Sequence, residues 1–205
     1  MINAAPATTD RYVASQFVNL QYRQELHDRL YHTDIYTLDK HHRLVHLVLH
    51  HCKYVAHLHV TIQEYGVDGD ENIHANNRRR MENLAVDGII VCMSMMNCCN
   101  HQIGAFIDTA HWDKDTPLYL LIRHMGMMSK TVEDVDHMGQ TNPLKSIIES
   151  VEVMLAAYFK LFERGGGDFH YLTGRIHQRL TEVEKKSIFF DRLDIEMSKL
   201  IEQRR

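Results

Sequence analysis

The sequence predicts an all-α protein, a bundle built from two tandem antiparallel helical hairpins with an N-terminal helix and a C-terminal helical tail. Three observations carry this. The 205 residues include only 3 Pro and 10 Gly, too few for a sandwich of many short strands. Long stretches repeat their apolar residues at helical spacing with few breaks. A weak internal repeat pairs residues 41–104 with 117–167, and two hairpins packed together make a four-helix core. We read the whole of 1–205 as one all-α domain, with residues 168–205 as the tail.

Residues 1–9 read as a leader, and a first helix is expected from about Asp10 to Leu30, capped by Asp10. A second spans roughly 41–65. "GVDGDENIHANN" is a loop by its Gly, Asp and Asn content. A third helix covers about 78–102, a fourth 118–138 and a fifth 143–163. "GQTNP" ends the fourth helix and starts the fifth: Gly139 stops one, Asn142 caps the next, and Pro143 takes its first position. "RGGGD" stops the fifth helix, because consecutive glycines do not hold one. One or two helices fill 169–203.

Apolar residues make up 44% and charged residues 24%, with a net charge of −4, so nothing global argues for nucleic acid. Arg78–Arg80 and the terminal Arg204 and Arg205 read as solvated helix ends. The longest apolar stretch, "GIIVCMSMMNCC", is too short to span a bilayer. The four Cys lack a CxxC pair, and the N-terminus lacks a signal-peptide pattern. A reduced, cytoplasmic protein is therefore expected. The 16 His give a charge that changes sign in mild acid.

On the second helix, Leu44, Leu47, Val48, Val55, Leu58 and Ile62 form the buried face, with His51 and His59 as hydrogen-bonded core histidines. His42, His46, His50, Lys53 and His57 form the opposite stripe, read as solvated. The third helix is apolar nearly all round and should be central. Its polar residues Asp87, Ser94, Asn97 and His101 share one arc. Neighbouring helices satisfy them, or they line a ligand pocket. Asp87 is expected to be buried and paired with a His or Arg from another helix.

The stretch "EDVDHMGQTNPLKSIIESVE" carries the strongest chemical signal. Glu133 and Asp136 are expected to continue the buried face of the fourth helix, with Asp134 solvated. Across the turn, Asp136 should oppose Glu149, and Glu133 should oppose Glu152. Carboxylates at one level repel unless they are solvated, paired with cations, or bound to a hard cation such as Mg²⁺.

Glu133-x-x-Asp136, twelve residues, then Glu149-x-x-Glu152 resembles the all-α nucleotide pyrophosphohydrolases, the MazG-like group that includes dimeric dUTPases. That group carries ExxE, a spacer and ExxD on antiparallel helices. Here one Asp and one Glu are exchanged between the pairs. In the first hairpin, His59 and Ile62 stand where such acids would be.

The resemblance implies Mg²⁺-dependent hydrolysis of a nucleoside triphosphate to the monophosphate and pyrophosphate. It places Glu133, Asp136, Glu149 and Glu152 on the metal, with Glu133 and Glu149 catalytic. Asp87, Asn97 and Lys130 are the substrate-binding candidates. It also implies a homodimer, to which the tail is expected to contribute. The alternative is a catalytically inactive helical module that binds a nucleotide or a protein.

Rival motifs fare less well. His27-Asp28 is the pair found in HD phosphohydrolases, but those need an upstream His, and none precedes His27. A ferritin-like site needs Glu-x-x-His twice.

Overall fold

The computed structural model describes residues 8–65, 75–104, 112–113, 115–137 and 142–186. These form α1 (Thr8–Tyr31), α2 (Thr33–Tyr36), α3 (Lys40–Tyr65), α4 (Ala75–Cys98), α5 (Thr116–Asp136), α6 (Pro143–Arg164) and α7 (Phe169–Glu184), with no strand among them. The protein is an all-α bundle. No helix among the described residues is long and apolar enough to cross a membrane.

α3 packs on α4 and α5 on α6, and these pairs meet through α4 on α6 and α3 on α5. α3 and α5 run antiparallel. His41 Nε2 reaches Asp136 at 2.9 Å, while Cys52 Sγ, further along α3, lies 4.0 Å from Ser129 Oγ, earlier in α5. α1 and α7 form an additional layer over α4. α4 is central as expected, with Met81, Ala85, Val86, Ile89, Met93 and Met96 fully buried.

The expected signals around α6 operate locally, whereas Asp10 lies inside α1 instead of capping it. Asn142 accepts a hydrogen bond from the Lys145 backbone N–H at 3.2 Å, and Pro143 opens α6. Gly139 lies outside the described residues. After α6, Gly166 adopts φ 87°, in the left-handed region. A Cβ on Gly167 would stand 2.1 Å from the Phe162 ring, so the turn needs glycine for space as well as conformation. Asp168 then caps α7 by accepting from Tyr171 N–H at 2.7 Å. This turn folds α7 back onto its own bundle. The tail beyond 186 lies outside the described residues.

His51 is a core histidine, as expected. Its Nδ1 lies 3.1 Å from Tyr158 Oη and its Nε2 3.8 Å from Cys92 Sγ. His59 is exposed, which corrects its assignment to the inner face. The expected phase of α5 also needs correction. Met128, Thr131 and Val132 are buried, while Ile122 is exposed. The helix is rolled towards the Met128–Thr131 side, which carries Glu133 outward and leaves Asp134 half-buried beside Lys130 at 2.9 Å.

Candidate functional site

The outer layer encloses a cavity of about 380 Å³ between α1, α2, α3, α4 and α7. That is within the range of small-molecule pockets. Its polar wall holds His27, Asp28 and His32 from the end of α1, His46 and His50 from α3, and Asp87 from α4. Arg43 and Arg179 also line it.

Local structure sets the first group. α1 ends at Tyr31, and His32 starts the short α2, its N–H donating to Asp28 O at 3.1 Å. Tyr36 anchors this connector. Its hydroxyl donates to Glu25 at 2.8 Å, and its ring lies beneath the Arg43 guanidinium at 4.3 Å. The tight link brings the His32 ring to 5.2 Å from that of His27. One ligand atom each from His27, Asp28 and His32 lie within 4.8 Å of one another, the sole such triad among the described residues.

Two members of the triad are held from behind. His27 Nδ1 lies 3.1 Å from Glu184 Oε1 on α7, and Arg23 pairs with the same carboxylate. Burial lowers the pKa of His27, against the opposing pull of Glu184. The Asp28 carboxylate accepts from Ser94 Oγ on α4.

On the facing wall, His46 and His50 sit one turn apart, ring centroids 4.7 Å. Burial pushes His50 down to about 4, helped by Lys53 and His46, and lowers His46 as well. Both imidazoles are therefore neutral near pH 7. The stripe read as solvated is thus divided. His42, Lys53 and His57 face water, whereas α1, α2 and α7 cover His46 and His50.

Asp87 meets the expectation made for it. Arg179 of α7 grips it with Nε and Nη2 at 2.6 and 2.9 Å, and the bidentate pair raises the Arg179 pKa. Ser94 and Asn97 of the stripe are satisfied by α1, whereas the His101 side chain turns to Glu152 of α6. Asn97 donates to Gln21 O and Gln24 Oε1 and accepts from Gln21 Nε2, so it belongs to a helix contact and is absent from the cavity wall.

The four acids of the α5–α6 hairpin are dispersed instead of gathered. Glu133 pairs with Lys130 at 3.2 Å and Asp136 with His41; Glu149 pairs with Lys145 at 3.8 Å and Glu152 with His101 at 3.7 Å. The Asp136 side chain is 66% exposed and that of Glu149 is 64% exposed. No three of the acids come within ligand reach of one another. Lys130 is likewise occupied by Glu133 and Asp134.

Sequence reasoning missed His32, His46, Arg43, Arg179 and Glu184. The available signals were a His-Asp pair with a second His five residues after the first, and two His one turn apart. Comparison of the chain with family models, curated proteins and solved structures finds no match.

Proposed function

We propose that the cavity binds a nucleoside triphosphate or a related phosphorylated molecule and hydrolyses a phosphoanhydride bond. The observation that carries this reading is Arg43. Its side chain lines the cavity, and its Nη2 is buried with no hydrogen-bond partner among the described residues. A buried guanidinium N–H calls for an acceptor, and phosphate oxygens match its fork geometry. Arg179, held in plane by Asp87, places a second guanidinium on the wall, its charge balanced by that carboxylate.

Ile35, Leu47, Ile90 and Val91, with Tyr36 and Tyr54, supply an apolar and aromatic surface suited to a base. The neutral imidazoles of His46 and His50 can accept a hydrogen bond from a water and orient it. Cleavage to monophosphate and pyrophosphate is the outcome implied by the MazG-like resemblance. The α5–α6 acids take no part in this version of the reaction. A two-fold dimer in the cytoplasm belongs to the same proposal. Exposed Leu49 and Val60 on α3 and Ile122 and Met127 on α5 offer the face that a second copy would cover.

The test is a panel of nucleoside triphosphates assayed with Mg²⁺ and with Mn²⁺ for pyrophosphate and orthophosphate release, with affinities from calorimetry. Arg43→Gln should weaken binding about 10- to 100-fold, since a hydrogen bond between charged partners is worth about 1.5–3 kcal/mol. Glu149→Gln should leave both readouts unchanged. Nucleotide binding that depends on Arg43 without turnover would favour the inactive binding module. Neither binding nor turnover would end the proposal.

A further inference from the structure

We infer that His27, Asp28 and His32 form a site for one transition-metal ion of the zinc class, oriented from behind by Glu184 and open to the cavity on its remaining side. The site stands apart from the hydrolase reading. Metal binding and nucleotide turnover are measured separately, and either can fail without the other.

Geometry is the first argument. Ligand atoms around a tetrahedral zinc ion lie roughly 3.4 Å apart, given metal–ligand distances near 2.1 Å. The three atoms here already lie within 4.8 Å of one another, so small side-chain rotations close the set. They come from the end of one helix and the residue that follows it, which fixes their spacing through the backbone.

The second argument is the donor set. Two imidazole nitrogens and one carboxylate oxygen suit zinc, manganese or iron. Magnesium prefers oxygen donors and retained waters.

The third is the support behind the ligands. Metal-binding His residues usually give their second ring nitrogen to a carboxylate. Glu184 accepts from His27 Nδ1, and Arg23 fixes Glu184 in turn. Asp28 is held by Ser94. A paired core histidine alone would explain the His27–Glu184 contact. It would not bring Asp28 and His32 to the same point. Three protein ligands facing a cavity leave a coordination position open, as catalytic sites do.

The test uses the full chain, stripped with a chelator and dialysed, then titrated with Zn²⁺, Mn²⁺ and Mg²⁺ by calorimetry. One Zn²⁺ per chain should bind at micromolar affinity or better, with Mg²⁺ at least about 100-fold weaker. Loading with Co²⁺ should give the visible absorption of a four-coordinate ion. His32→Ala and Asp28→Asn should each abolish the stoichiometric site. Glu184→Gln should weaken it about 10- to 100-fold. The metal-free melting temperature and helicity of each variant separate a lost site from a lost fold.

His57→Ala and His59→Ala, both on the surface of α3, should bind as the unaltered protein does. The inference is overturned if no ion binds, or if a folded His32→Ala retains the stoichiometric site. It is equally overturned if His57→Ala abolishes the site, because the ion would then belong to the exposed stripe.

Discussion

Lowering the pH from 6.5 to 4 should remove about 3 kcal/mol of unfolding free energy through His51 alone. Its ring is fully buried, and its neighbours Tyr158 and Cys92 offer no counter-charge. Burial pushes its pKa from 6.5 to about 3. Between those values the unfolded chain takes up a proton that the folded protein refuses. Stability is therefore complete above pH 6.5 and falls as the pH drops towards 3, by about 1.4 kcal/mol per pH unit.

His50, lowered to about 4, adds to the slope with the same sign, discounted because its ring is only half-buried. Urea midpoints measured from pH 7.5 to 4 check this. His51→Gln should flatten the slope by nearly one proton, whatever its effect on absolute stability. A wild-type stability that stays level across this window would contradict the assignment.

Gly88→Ala should destabilise the protein by about 2 kcal/mol or more, against the usual trend for helices. In an exposed helix that exchange gains about 1 kcal/mol. Here the new Cβ would stand 2.4 Å from two Tyr158 ring carbons. That ring is fully buried and hydrogen-bonded to His51, so it has no free space to enter. Overpacking of this kind costs about 1–3 kcal/mol, and it displaces the His51–Tyr158 contact as well. Chemical denaturation measures the loss. Pairing the change with Tyr158→Leu should recover part of it, since the smaller side chain vacates the contact. A Gly88→Ala protein as stable as wild type would mean that α4 and α6 do not approach as closely as they do here.

The helices were legible because their determinants are local. Apolar spacing located five of them to within a few residues. Asn142-Pro143 and the glycine run marked a start and a stop that the backbone obeys. Asp87 was legible for a related reason. A carboxylate on an otherwise apolar helix needs a cation, and Arg179 supplies it. The phase of α5 was harder to read, since Ile122 and Met128 are both apolar and periodicity alone does not say which one meets a neighbour. α2, a single turn, is too short to have a period.

By itself, then, the sequence determined an all-α chain, a central apolar α4 and the need for a partner at Asp87. These follow from hydrophobic period, backbone chemistry and the cost of burying charge. Only the tertiary structure decided which polar stripes are inside. α1, α2 and α7 close over one side of α3 and turn His46 and His50 into a cavity wall, while the equally polar acids of α5 and α6 stay in water. The reason is physical: a polar face on a helix reads the same whether the next layer is solvent or protein. What distinguishes the two is contact between residues such as His27 and Glu184, 157 positions apart in the chain.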